Sequence, residues 1–239
     1  MTWQWVSSAV TDVGNVRKVN EDAILDRSQQ GLWVVADGMG GHEAGDVASS
    51  SIVTALGSLG DFDRPSAFVD AVEDALLDVN RRLFAMSAEG GKVIGSTVVA
   101  LLALPGHCLC MWAGDSRVYR LRNFELRELT TDHSEVEELI AEGSLAREDA
   151  AGYPGENIIT RAVGGEDDLY LEVRLFELGH KDRMLLCSDG LYKEVSFDEI
   201  REILSDGSIA TAVRRLLDLA KSRRCSDNTS VIGVEFEQR

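Results

Sequence analysis

Three apolar runs, LWVVADG, CMWAGDS and RMLLCSDG, each stop at an aspartate beside a glycine, at Asp37, Asp115 and Asp189. A short apolar run closed this way predicts a buried strand that hands a carboxylate to a loop at the edge of a sheet. A fourth acid, Asp227 in CSDNTSVIGVEF, precedes a strand instead. If these four ends converge, their carboxylates are too crowded to stay ionised without a cation, and a divalent metal is the expected partner.

Charge supports that expectation by exclusion. With 41 acidic against 24 basic residues, a formal net charge of −17, the chain offers no basic stripe for nucleic acid or for an anionic membrane surface. An acidic protein that handles a phosphorylated substrate needs local positive charge, which bound metal supplies. Cys108, Cys110, Cys187 and Cys225 form no C-x-x-C pair, which points to a reducing compartment, and three of them lie in or beside apolar strand-like segments and read there as small buried hydrophobes. The start, MTWQWVSSAV, lacks a basic region followed by an apolar one, and the longest apolar run, Val98 to Leu104, is too short to span a bilayer. The expectation is a cytoplasmic protein, monomeric by default.

No low-complexity segment, solenoid repeat or Ser/Gly-rich linker divides the chain, so residues 1–239 read as one domain. Strands are expected near Trp3 to Thr11, Ala23 to Asp26 and Leu32 to Ala36, with a helix over Ala44 to Leu56. A longer helix runs from about Ser66 to Ser87, where Phe68, Val72, Leu76, Val79 and Leu83 recur on one face as core. Ser96 to Leu104, Cys108 to Ala113 and Val118 to Leu121 read as an antiparallel meander turned at Pro105-Gly106 and Arg122-Asn123. Strands near Leu169 to Leu178, Met184 to Cys187 and Thr229 to Phe236 follow, with helices after Ser196 and Ser208, the first opened by the capping box of Ser196 and Glu199. Blocks of strands separated from helix pairs predict an α+β sandwich. The charged, Gly-rich excursion at about 130–157, with one short helix begun by Ser134, is either a functional flap or a surface loop.

The acids suit a hard cation. Magnesium and manganese prefer oxygen ligands in near-octahedral geometry, and Asp is a short, stiff carboxylate. Gly38, Gly40 and Gly41 carry no bulk after Asp37, so backbone can approach a metal or phosphate closely. Upstream, Arg17 offers a planar fork for phosphate, and Glu21 and Asp22 add carboxylates at the start of a strand. A cysteine phosphatase would need a thiolate with an arginine close behind, but Cys110 and Arg117 are separated by an apolar strand with an acid at its end. Asp61-Phe62-Asp63 reads as a loop, and the glycines after Asp37 lack the Gly-Lys-Ser/Thr end of a nucleotide-binding loop.

The blocks GNVRKVNEDA, VVADGMGGHEAG, GSTVVALL, WAGDSRVYRLR, LTTDHS, RAVGG, LLCSDGLY and SDNTSVIGV, in that order, resemble the bacterial branch of the metal-dependent protein phosphatases, the protein phosphatase type 2C family. That resemblance implies a four-layer sandwich of two antiparallel β-sheets flanked by antiparallel helix pairs, with a site for two Mn2+ or Mg2+ ions at one end. Asp37 would bridge the two metals, the Gly38 carbonyl would bind one, and Asp189 and Asp227 would complete the other. Glu21 or Asp22 would approach directly or through water. Asp115 resembles the ligand of a third, weaker metal, Asn228 would support Asp227, and Arg17 matches the phosphate-binding arginine.

The implied activity is hydrolysis of phosphoserine and phosphothreonine in proteins by a metal-bridging hydroxide, opposing a bacterial Ser/Thr kinase and acting on that kinase or its phosphothreonine-binding effectors. Its rival is a pseudophosphatase, a phosphoprotein-binding module of the same fold without chemistry. Retention of Asp37, Asp189, Asp227, Glu21, Asp22 and Asp115 favours the enzyme. The proton donor to the leaving group stays open. Met39 stands directly after the Asp-Gly pair and cannot donate, His42 lies three residues on, and metal-bound water is a candidate. His133 reads as a structural hydrogen-bonder, and His107 and His180 as solvent-facing turn residues.

Overall fold

The computed structural model describes residues 2–40, 44–150 and 152–239, so Gly41 and His42 lie outside the described residues. Strands β1 (Trp3–Asp12), β2 (Asp22–Arg27) and β3 (Leu32–Met39) lead into helices α1 (Ala44–Gly57) and α2 (Pro65–Gly90). Next come β4 (Gly95–Ser96), β5 (Val98–Leu104), β6 (His107–Ala113), β7 (Arg117–Arg122) and β8 (Glu125–Glu128), then helix α3 (Glu135–Ala141) and a single 3-10 turn at Arg147–Asp149. The rest is β9 (Glu172–Glu177), β10 (Arg183–Cys187), α4 (Asp189–Tyr192), α5 (Phe197–Ser205), α6 (Ile209–Ser222) and β11 (Thr229–Gln238).

The strands form two antiparallel sheets, ordered β1-β11-β10-β7-β8 and β2-β3-β5-β6-β9, with β4 paired to β3. Alternation along the buried strands makes the layers. Leu32, Val34 and Ala36 of β3 pack with Ile52, Val72, Leu76 and Val79 of α1 and α2, whereas Trp33 and Val35 point the other way. There they meet Val118, Met184, Leu186, Ile232 and Phe236 of the second sheet. On the far side of that sheet Leu185, Cys187 and Val231 pack under Ile200, Leu204, Val213 and Leu216 of α5 and α6. The order is helices, sheet, sheet, helices. The α2 stripe from Phe68 to Leu83 is buried throughout.

Capping follows the sequence. Ser196 and Glu199 close a reciprocal capping box on α5, and the Ser134 and Ser208 hydroxyls accept from the backbone N–H of Glu137 and Thr211.

The expected meander is corrected. β5 and β6 do form a hairpin, but β7 leaves that sheet and pairs with β10 and β8 in the other. The crossing is made at Gly114, whose φ of 110° is open to glycine and strained for other residues. Both β6 and β7 are buried on two faces, so alternation carries no sign of which sheet each joins. The strand expected near Leu169 to Leu178 is also shorter, with β9 confined to Glu172–Glu177 and Leu169 and Leu178 buried outside the ladder.

Candidate active site

The β2–β3 register sets Asp22 directly opposite Asp37. β3 does not stop at Asp37 but runs on to Met39, pairing Gly38 with Ser96 of β4. The Asp37 backbone is thereby fixed: its N–H donates to Thr97 Oγ1 at 3.1 Å, and its carbonyl accepts from Thr97 N at 2.8 Å and Ser96 Oγ at 3.0 Å. Ser96 is bridged to Val163, and the next residue, Gly164, donates to Asn80 Oδ1 on α2 at 2.6 Å. The RAVGG block thus braces the strand that carries Asp37. Gly38 N donates to the Glu21 carbonyl, and a Cβ on Gly38 would meet the Gly45 carbonyl oxygen at 2.1 Å.

From the other sheet come Asp189, which follows β10 and opens α4, and Asp227, which immediately precedes β11. Asn228 ties these segments together. Its Oδ1 accepts from Glu21 N at 2.8 Å, and its Nδ2 donates to the carbonyls of Val13 and Val19 at 3.0 Å each. Arg17, on the loop so held, pairs with Asp227 Oδ2 at 2.9 Å. Asp115 lies where the chain crosses between the sheets; the Tyr192 hydroxyl donates to its carbonyl at 3.1 Å, and the Arg117 guanidinium stacks on the Tyr192 ring at 3.7 Å. Arg117 is itself gripped by Asp132 at 2.7 Å.

Arg17, Glu21, Asp37, Gly38, Asp115, Asp189, Asp227 and Asn228 all line one open cavity of about 1040 Å³. Asp22 lies beneath it, buried, with its Oδ2 accepting from Ser188 Oγ at 2.8 Å. Burial and neighbouring carboxylates push the Asp22 and Asp115 carboxyls up to about 7. Asp37 is raised well above its ordinary range by burial, then by Asp22, Asp189, Asp115 and Asp227.

The donor set fits hard divalent cations. Glu21 Oε1, Asp22 Oδ1, Asp115 Oδ1 and Asp189 Oδ1 are buried oxygens with no hydrogen-bond partner, a costly condition that a cation or its waters relieves. Among the described residues no three acidic, histidine or cysteine side chains already close into a ligand cage. Magnesium-type ions do not require one, because they retain several waters and use few carboxylates.

Other candidate chemistry lies elsewhere or is spoken for. The four cysteines are buried and free, and burial pushes the Cys110 thiol up to about 12 and Cys108 and Cys187 upward as well, so these three supply no thiolate. His133 accepts from Gly114 N at 3.0 Å through Nδ1, while its Nε2 lies 2.9 Å from Glu172, a bracing role for the crossover. Sequence reasoning missed Lys193, whose Nζ is 2.5 Å from Asp189 Oδ2, and Glu156, Asn157 and Ile159, which bring the 130–157 excursion and the residues just after it to the cavity wall. The four-residue spacing of Asp189 and Lys193 was the available signal, hidden because SDGLYK was not read as a helical turn.

A helix–sheet–sheet–helix sandwich that gathers acids from both sheets at one end, with an arginine on the rim, defines a metal-dependent phosphatase. A family model described as Protein phosphatase 2C matches residues 15–224, and the chain belongs to that family. It is 36% identical over 237 residues to the serine/threonine phosphatase stp of Listeria monocytogenes, covering 94% of this chain and 93% of that one. The structure of PppA, described as a key regulatory component of T6SS in Pseudomonas aeruginosa, is similar with a TM-score of 0.90 at 41% identity, covering 97% of each chain. The catalytic domain of the serine/threonine protein phosphatase PstP in complex with two manganese ions gives 0.88 at 32% identity, covering 99% of this chain and 100% of that one.

Proposed function

We propose that this chain hydrolyses phosphoserine and phosphothreonine in proteins with the help of two Mn2+ or Mg2+ ions. The observation that carries the reading is the convergence of carboxylates from both sheets, several with partnerless buried oxygens, on one cavity with Arg17 at its rim. Asp37, the Gly38 carbonyl, Asp189 and Asp227 would hold the ions, with Glu21 and Asp22 contributing directly or through water and Asp115 facing an outer position. When bound, the ions supply Lewis acidity and a water of lowered pKa.

The residues of this chain do the rest. Arg17 presents its guanidinium to the equatorial phosphoryl oxygens, with one nitrogen kept in place by Asp227. Asn228 and Ser188 hold Glu21 and Asp22 in register with Asp37, so the acids need no rearrangement when substrate arrives. A bond from water oxygen to phosphorus forms as the bond to the serine or threonine oxygen breaks, and the alkoxide takes a proton. No side chain is esterified.

We read residues 1–239 as one catalytic domain with a flap at about 130–157, acting as a monomer in the cytoplasm on a Ser/Thr kinase and its phosphothreonine-binding effectors. Among the described residues no helix is long and apolar enough to cross a membrane. The test is direct. Purified chain hydrolyses p-nitrophenyl phosphate and a phosphothreonine peptide in manganese and stops on chelation, and Asp37→Asn loses activity by orders of magnitude while staying folded. Turnover without metal, or a near-normal rate for Asp37→Asn, overturns the reading; binding of phosphopeptide without turnover returns the pseudophosphatase.

A further inference from the structure

Lys193 and Arg224 are the cavity-lining cations that the mechanism leaves unused, and of the two Lys193 bonds to a site acid. It follows α4, one turn after Asp189, and its ammonium lies 2.5 Å from Asp189 Oδ2 and 2.6 Å from Asn157 Oδ1. Asn157 belongs to the 130–157 segment, and with Glu156 it forms part of the cavity wall. That segment is otherwise held at its two ends, where Ser134 bridges Ile159 and Glu135 N donates to the Ile158 carbonyl. Residues 130–133 are tied to the body through Asp132 with Arg117 and His133 with Glu172, but from Glu135 onward the other side-chain bonds stay internal, as in the pair of Arg147 with Glu137. Among the described residues, Lys193 to Asn157 is the one side-chain hydrogen bond joining residues 135–157 to the body of the protein beyond 130–161.

The charges have a matching arrangement. Arg17 pairs with Asp227 in the cavity wall, and Lys193 pairs with Asp189. The Lys193 ammonium donates to one Asp189 oxygen, leaving the second buried and without a partner, as is one oxygen of Asp115. A cation drawn to the Asp115 and Asp189 side therefore competes with the ammonium for Asp189.

We propose that Lys193 is a positioning residue that latches the flap to the metal site: its ammonium, shared between Asp189 and Asn157, fixes the flap against the cavity and takes the positive charge that an outer cation at Asp115 and Asp189 would otherwise provide. Latching and outer-cation binding then exclude one another. By linkage, whatever loosens the latch strengthens the outer site by the same factor. The assignment of the cavity to metal rests on the phosphatase reading; the latch itself does not.

Hydrogen exchange and manganese titration of the full chain test both parts. Lys193→Met and Asn157→Ala each raise amide exchange across residues 153–159 in metal-free protein, the double variant raises it no further than one single, and Lys193→Arg restores protection. Manganese counted by electron paramagnetic resonance shows an additional weak site in Lys193→Met that binds about tenfold tighter than in the wild type. Unchanged exchange in Lys193→Met, additive effects in the double variant, or identical manganese isotherms overturn the proposal. Loss of protection throughout the molecule in Lys193→Met would mean general unfolding, and Asn157→Ala, which touches only the flap side, then decides: unchanged exchange at 153–159 overturns the latch. Turnover of p-nitrophenyl phosphate by the wild type reports separately on the phosphatase reading, because none of the latch readouts requires catalysis.

Discussion

Asp22 and Asp37 occupy directly opposed positions of the β2–β3 ladder, a like-charged cross-strand pair of which Asp22 is buried beneath the cavity. Such a pair opposes folding when both members are ionised. Burial and charge raise the Asp22 carboxyl from 3.8 to about 7, so between those values the folded protein binds more protons than the unfolded chain. The stability of metal-free protein therefore falls as pH rises through that window. Cations bind the deprotonated acids, so the manganese-induced rise in melting temperature should be small at pH 5.5 and larger at pH 7.5, about 2–4 °C for each kcal/mol gained. Melting curves with manganese and with chelator at both pH values check this, and a pH-independent increment would contradict it.

Glu128 gives a second pH effect away from the cavity. It lies 3.6 Å from Arg117, yet burial raises its carboxyl from 4.5 to about 7 despite that attraction. Its raised folded value means that stability is lost as pH climbs from 4.5 to 7. Glu128→Gln should flatten this dependence and stabilise the protein at pH 8 by about 1 kcal/mol, reduced from the full shift because the side chain is partly solvated. Arg117 keeps Asp132 as a partner in the variant. Urea melts at pH 5 and pH 8 provide the comparison.

Gly38 has no room for a side chain. A Cβ there would stand 2.1 Å from the Gly45 carbonyl oxygen and 2.7 Å from that of Glu21, both backbone atoms. Gly38→Ala should cost about 3 kcal/mol or more and weaken manganese binding. At Gly60 a Cβ meets nothing within 4 Å, so Gly60→Ala serves as a control within about 0.5 kcal/mol of the wild type.

On α2, Leu76 is fully buried against β3 and α1, while Met86 is 43% exposed. Leu76→Ala should cost about 2–5 kcal/mol, and Met86→Ala less than about 0.5 kcal/mol. Equal effects in denaturant titrations would place the buried face of the helix wrongly.

That helix was readable from sequence because five apolar residues repeat at helical spacing and only one packing satisfies them. Four acids were readable for a different reason: Asp37, Asp115 and Asp189 each close an apolar run beside a glycine, and Asp227 stands just before another. The route between them was not. β6 and β7 are buried on both faces, so nothing in their pattern shows that the chain changes sheets at Gly114. β8 was overlooked because its four residues, ELRE, carry three charges and a single apolar side chain, Leu126. Lys193 was overlooked because a lysine in a polar loop and a lysine bonded to a buried aspartate look alike until the short α4 turn brings Nζ back over Asp189.

Strands β1 and β11 share a ladder that runs from Trp3 with Gln238 to Asp12 with Thr229, and among the described residues β11 is the only ladder partner of β1. On the ribosome, β1 must therefore wait for β11. Contacts of such sequence separation form slowly. A nascent chain interrupted before Asp227 would lack the ladder partner of β1, leave β10 with an open edge, and end with an incomplete acid cluster. Stalled products should thus be both inactive and prone to pair with one another, so function is acquired only once β11 has been made.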